Sequence, residues 1–111
     1  MTNATDLERS TFQDLPAYRY IRKSDEVPAL GHTAEEHDPI ARVKLFNPSG
    51  SWTWYVVEYD PESRIAFGLV DGFEREAGNF SMEEIVELRS PPFGLPIERD
   101  IHWTPRKLSE C

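Results

Sequence analysis

The sequence predicts an α+β fold in which one main helix packs across a small antiparallel sheet of about four strands. Three stretches between residues 40 and 70 arrange their apolar side chains as strands do, and a later stretch has the spacing of an amphipathic helix. A chain of 111 residues, 39% of them hydrophobic, encloses one core rather than two. We therefore expect one domain over residues 28–105, a tail over residues 106–111, and a partly flexible N-terminal extension over residues 1–27 with a short helix near residues 6–15.

The first three strands are predicted to form an antiparallel meander. Residues 40–46 alternate in character, with Val43 and Leu45 on the apolar face, which is typical of a half-exposed strand. Residues 51–59 place apolar side chains on both faces, so we expect them to form a central strand. Residues 64–70 form the third strand after a turn that contains proline. Turn-forming residues such as asparagine, aspartate and proline separate the three stretches.

The main helix is predicted over residues 81–89. Ser81 can cap its N-terminus, because Glu84 stands three residues later as in a capping box, and the apolar residues that follow fall on one face. A pair of prolines then stops the helix. Residues 71–80 are interpreted as loops, and a last strand is expected over residues 97–103.

The charge distribution points to a protein partner. The net charge is −8, and residues 58–87 hold nine acidic side chains against two arginines. Such a surface repels nucleic acids and anionic membranes, so we expect neither as a direct partner and instead expect a protein with a basic surface. The alternative is that the carboxylates only keep a small protein in solution. The candidate partner-binding residues are Glu58, Asp60, Glu62, Asp71, Glu74, Glu76, Glu83 and Glu87.

The sequence favours a cytoplasmic location. No apolar stretch is long enough to cross a membrane, and the first ten residues lack the apolar region of a signal peptide. The single cysteine, Cys111, cannot form an internal disulfide, which is typical of proteins in a reducing compartment. We expect a protein without a cofactor.

Two weaker patterns would indicate catalysis or metal binding. Asp100 and His102 would share one face of the last strand, where a carboxylate can orient an imidazole as a general base, so a small hydrolase is the alternative function. Charged residues at a sheet edge more often form ion pairs, and Arg99 lies beside them. His32 and His37 are five residues apart in a loop, whereas a metal-binding pair on a helix is four apart, so a solvated loop is the preferred interpretation.

The aromatic residues are expected mainly in the core. Trp52, Trp54 and Tyr55 lie on the predicted central strand, and a base-stacking platform would need a positive groove, which this acidic chain does not offer. A packed core is the simpler use of large rings in a small domain. Any ring that remains exposed would mark a partner site.

Short motifs of this chain resemble those of a bacterial protein family. The motifs, within a stretch from about Asp38 to Pro105, are Trp52-Thr53-Trp54-Tyr55, Phe67-Gly68-Leu69-Val70, Phe80-Ser81 and Gly94-Leu95-Pro96-Ile97-Glu98-Arg99-Asp100. They resemble those of domain-of-unknown-function family 2958. This resemblance implies no assigned activity, but it implies an accessory protein of plasmids and conjugative elements. Together with the acidic surface, this favours a non-enzymatic binding module that mimics nucleic-acid charge and inhibits a host defence system.

Overall fold

A computed structural model describes residues 20–111 and shows a mainly β architecture. About 39% of these residues lie in strands, whereas the single α-helix has six residues. The main sheet has five antiparallel strands in the order β5-β4-β3-β2-β8, and two short strand pairs, β1-β9 and β6-β7, flank it. The elements are β1 Ile40–Ala41, β2 Val43–Phe46, β3 Thr53–Asp60, β4 Ile65–Asp71, β5 Arg75–Ser81, α1 Met82–Glu87, β6 Arg89–Ser90, β7 Leu95–Pro96, β8 Glu98–Arg99 and β9 Arg106–Lys107, with 3₁₀ helices at Lys23–Asp25 and Leu108–Glu110.

The predicted meander is confirmed. Strands β2, β3 and β4 pair antiparallel in chain order, and β3 lies at the centre of the five-stranded sheet. Both faces of β3 are buried, as its composition predicts. Trp54 and Val56 belong to the core on one face, which we call the front face, and Tyr55 and Val57 belong to a second, smaller core on the rear face.

A bulge in β3 reverses the expected alternation after Val56. The register against β4 shifts between Val56 and Glu58, which leaves Val57 as an extra residue. Tyr59 therefore packs in the front core with Val56, although simple alternation predicts it on the rear face. The bulge needs a glycine on β4, because a Cβ atom at Gly68 would lie 1.8 Å from the carbonyl oxygen of Tyr55.

The prediction of an α+β fold with a main helix across the sheet is wrong. Residues 75–81 form the edge strand β5, and α1 starts immediately after it and ends at Glu87, because Leu88 is extended. Six residues rise only about 9 Å, which is too short to cross a five-stranded sheet. The helix instead buries Met82 and Ile85 in the front core.

The segment before the sheet is built into the domain from Tyr20 onward. Tyr20 and Ile21 are fully buried in the front core, and the Tyr20 hydroxyl donates to the carbonyl oxygen of Ile97. The sequence predicts an extension up to residue 27, so the described part of that extension belongs to the packed domain. The helix expected near residues 6–15 lies outside the described residues.

The C-terminal residues also pack on the domain rather than forming a separate tail. Strand β9 pairs antiparallel with β1, and Asp38 accepts hydrogen bonds from the Ser109 N–H and hydroxyl at 2.9 and 2.6 Å. These two bonds lower the pKa of Asp38. The last strand is shorter than residues 97–103, since only Glu98–Arg99 join the main sheet through β2. No helix in residues 20–111 has the length and hydropathy needed to cross a membrane.

Candidate functional site

The turn between β4 and β5 carries the most exposed large apolar side chain of the described residues. Phe73 is 95% exposed at the tip of this turn. Its ring stands edge-on to Trp52, with centroids 5.3 Å apart, and Trp52 in turn lies 6.0 Å from Trp54 of the front core. Gly72 makes this arrangement possible, because a Cβ atom there would lie 2.6 Å from the Trp52 ring. The aromatic row therefore runs from the core to the solvent.

A cavity of about 440 Å³ lies beside this row on the front face, and we call it the aromatic groove. Its floor is open above β5, because a Cβ atom at Gly78 would meet no atom within 4 Å. Two exposed carboxylates, Glu74 and Glu76, border it. The groove is thus an apolar trough with an acidic rim. It is lined by Trp52, Val70, Phe73, Glu74, Glu76, Ala77, Gly78 and Asn79.

A second cavity of about 330 Å³ lies where Ala77 and Phe67 meet the loop that precedes β1, and we call it the rear cavity. Glu58 borders it but is only 4% exposed. Its carboxylate accepts hydrogen bonds from the N–H groups of Gly31 and Thr33 at 2.8 and 2.7 Å, and from the Thr33 hydroxyl. Burial would raise the pKa of Glu58, but these hydrogen bonds outweigh it, so the pKa lies below its ordinary value.

Glu58 therefore does not contribute to an exposed acidic face, contrary to the sequence prediction. The carboxylate anchors the loop at residues 31–33 to β3. The bulge accounts for this placement, because it puts Glu58 rather than Tyr59 on the rear side of the strand. Without the bulge, simple alternation would place Glu58 on the front face, and its local sequence does not distinguish it from the neighbouring acidic residues.

The other predicted acidic residues divide between the two ends of the sheet. Glu74 and Glu76 are exposed at the β4–β5 turn. The remaining exposed carboxylates, Glu62, Glu83 and Glu87, lie at the opposite end, where the N–H of Met82 donates to the carbonyl oxygen of Arg64 in the β3–β4 turn. The predicted acidic residues thus form two separate patches rather than one continuous face.

Asp60 and Asp71 are engaged in local contacts at these two ends. Asp60 accepts from the Ser63 hydroxyl at 2.7 Å and from the Glu62 N–H at 3.0 Å, and the Ser63 bond is the main reason that the pKa of Asp60 is lowered. Asp71 forms an ion pair with Arg75 at 3.1 Å. The pair closes the β4–β5 hairpin and compensates the positive charge nearest the aromatic groove.

Asp100 and His102 do not share the face of a strand. Asp100 follows β8 and lies 3.5 Å from the Lys44 ammonium group, and one of its oxygens accepts from the backbone N–H of His102 at 3.0 Å. His102 is exposed in the turn that follows, and neither residue lines the aromatic groove or the rear cavity. The geometry on which a carboxylate–imidazole pair was predicted is therefore wrong.

His32 and His37 are both exposed in the loop before β1. His37 borders the rear cavity, where Glu36 is a neighbour. Within residues 20–111, no three side chains of histidine, cysteine, aspartate or glutamate come close enough to hold a metal ion.

The aromatic groove was not identified from the sequence, although one signal for it exists. Phe73 stands alone in a turn between glycine and acidic residues, where a large apolar side chain cannot be part of a strand face. Trp52 was expected in the core, and it is only half-buried. The open space above Gly78, which makes the groove, cannot be predicted from the sequence, because it depends on how β5 packs beside its neighbouring strand.

A model of one protein family matches residues 18–110, which is most of the chain. The chain belongs to the family described as protein of unknown function (DUF2958). The matched range of this DUF2958 domain contains the aromatic groove, the rear cavity and the buried segment that begins at Tyr20. It extends further toward the N-terminus than the motifs that first suggested the family. Neither the curated proteins nor the solved structures include a match to the chain.

Proposed function

We propose that this DUF2958 protein is a non-enzymatic binding module that docks on a basic surface of a protein partner through the aromatic groove and its acidic rim. The observation that carries the proposal is the exposure of Phe73, at 95%, beside a groove that leads to the core. Burying an exposed aromatic ring of this size in a partner releases apolar surface from water, and aromatic anchors of this kind dominate binding energies.

The acidic rim of the groove adds charge complementarity to the apolar surface that Phe73 provides. Glu74 and Glu76 border the groove, and Arg75, which lies between them at the start of β5, is paired with Asp71. A basic partner is therefore attracted toward the groove and a nucleic acid is repelled from it. The basic protein partner expected from the sequence would therefore bind at the β4–β5 end of the sheet.

The resemblance to plasmid and conjugative-element proteins suggests a biological context for this binding. In that setting the basic partner is a nucleic-acid-binding protein of a host defence or transfer system, and the acidic rim competes for its phosphate-binding surface. Competition with duplex DNA for the purified partner tests this sharper version, because a partner held by its phosphate-binding surface is released by DNA.

The test begins with capture of partners from a bacterial lysate on the tagged full chain, followed by kinetics with the purified partner. We expect Phe73→Ala to weaken binding by at least about tenfold through faster dissociation. Replacing Glu74 and Glu76 together with lysine should slow association and flatten its dependence on salt.

The matched control is the double substitution Glu83→Lys with Glu87→Lys. It makes the same change in net charge on α1, at the other end of the sheet. We expect it to affect the association rate much less than the change at the rim. Equal effects of both double variants, together with no effect of Phe73→Ala, would show that the groove is not the docking site.

A further inference from the structure

Strand β5 has one free edge within the part of the chain that the structure describes. It pairs with β4 along all seven residues without a register shift, and β4 is its only neighbour in the sheet as residues 20–111 form it. On the side away from β4, the backbone N–H and C=O groups of alternate residues have no strand partner within residues 20–111, and such an edge is a template for another strand.

The centre of this edge is shaped to receive side chains on both faces. Gly78 and Ala77 are the smallest residues of the strand and point to opposite faces, since successive residues of a strand alternate. Gly78 forms the open floor of the aromatic groove, and Ala77 borders the rear cavity. Each small residue thus leaves space for a side chain from a neighbouring strand.

We propose that β5 binds an extended, basic segment of the partner protein as a sixth strand of the sheet. The inference rests on the proposed function, because it specifies how the partner occupies the aromatic groove. Backbone hydrogen bonds to the free edge provide affinity that does not depend on sequence. The aromatic groove and the rear cavity accept alternate side chains of the bound segment and so provide specificity.

Sheet geometry sets which residues the bound segment needs. The residue opposite Gly78 lies on the front face, where a large apolar side chain can enter the groove and contact Trp52. The residue opposite Ala77 lies on the rear face and needs an apolar side chain of moderate size. The residue opposite Glu76 returns to the front face and is basic. An antiparallel segment therefore reads tryptophan-valine-lysine from its N-terminus, and a parallel one reads the reverse.

Charge selects a basic segment over a second copy of this chain. Glu74 and Glu76 stand at the start of the free edge, and the net charge of the chain is −8. Antiparallel pairing of two copies centred on Gly78 would set the acidic rim of each copy beside the start of α1 in the other, where Glu83 and Glu84 are exposed. Like charges brought together in this way cost free energy, and Arg75 does not offset the cost because Asp71 already pairs with it.

The probes are two labelled nonapeptides that are unstructured when free and carry tryptophan-valine-lysine or lysine-valine-tryptophan at their centre. Two control peptides have the same sequences, except that glutamate replaces the lysine of the central triplet. We expect one of the basic peptides to bind the full chain and the glutamate peptides to bind at least about tenfold more weakly. Amide hydrogen exchange on the complex should show new protection at alternate residues of β5, while the amides already bonded to β4 stay as they are.

Gly78→Leu provides the decisive variant, because its side chain fills the groove from the floor without meeting another atom at Cβ. We expect the unfolding free energy to be preserved and peptide affinity to fall by at least about tenfold. Gly50→Leu, in the exposed β2–β3 turn, is the control and should leave affinity unchanged.

The outcomes separate this inference from the proposed function. If neither basic peptide binds, if bound peptide protects no β5 amide, or if the chain dimerises through β5 instead, the sixth-strand inference is overturned. The proposed function survives those results as long as Phe73→Ala still weakens binding of the purified partner. If Phe73→Ala has no effect on the partner, then the proposed function fails independently of the peptide data.

Discussion

Arg99 and Asp25 form a buried, two-pronged ion pair between the last strand of the main sheet and the segment that precedes the sheet. The Arg99 guanidinium donates to both oxygens of Asp25, at 2.6 and 2.7 Å, and both side chains are only 7% exposed. The same guanidinium donates to the carbonyl oxygen of Tyr20 at 3.0 Å. One arginine therefore holds both the 3₁₀ helix and the buried Tyr20 against β8.

Removing one member of this pair should be strongly destabilising, because the buried charge that remains loses its two-pronged partner. Asp25 would keep only the ion pair with Arg22 at 3.6 Å and the hydrogen bond from the Arg22 N–H. We expect Asp25→Asn and Arg99→Met each to lower the free energy of unfolding by about 3 kcal/mol. The double variant should lose clearly less than the sum of the two, as measured by urea denaturation. Strict additivity would mean that the two side chains do not interact in solution.

Glu58 should make the stability of the protein depend on acid. Its folded pKa lies below the ordinary value of 4.5, so its contribution is present above that value and is lost as pH falls through the folded pKa. Glu58→Gln should cost about 2 kcal/mol at pH 7, and the difference from wild type should shrink as pH falls below 4.5. Glu62→Gln, at an exposed turn residue, should show neither effect in denaturation at several pH values.

Two glycines that face each other across the β4–β5 ladder should respond oppositely to a methyl group. Gly68→Ala places Cβ against the Tyr55 carbonyl oxygen and should cost at least about 3 kcal/mol. Gly78→Ala meets no atom within 4 Å and should stabilise the edge strand by about 0.5 to 1 kcal/mol. Thermal unfolding of both variants measures this, and a tolerated alanine at Gly68 would show that the bulge is not rigid.

Ser81 links the edge strand to the helix. Its hydroxyl accepts from the Glu84 N–H at 3.2 Å, which confirms the cap predicted from the sequence. Ser81→Ala should lower the free energy of unfolding by about 1 kcal/mol. Ser51→Ala, at an exposed turn residue, is the matched change and should have little effect on the denaturation midpoint.

The sequence predicts the centre of the sheet but not its edge, because local composition identifies a strand only where apolar side chains mark at least one of its faces. Residues 51–59 are apolar on both faces, so they can only be a central strand, and β3 is central. Residues 75–81 are mostly charged, polar or small, with Phe80 as the one large apolar side chain, so their composition does not distinguish an edge strand from a loop. Residues 75–81 form a strand because they pair with β4, and this pairing is a tertiary contact.

At the candidate site, too, some features follow from the local sequence and others only from the tertiary structure. The acidity and the cap at Ser81 follow from the residues themselves, because charge and capping depend on the local sequence. The burial of Glu58, the exposure of Phe73 and the space above Gly78 were decided only by the tertiary structure. The burial of Glu58 depends on the bulge between Val56 and Glu58. The exposure of Phe73 and the space above Gly78 depend on which parts of the chain lie alongside, and the packing of the whole sheet sets these neighbours.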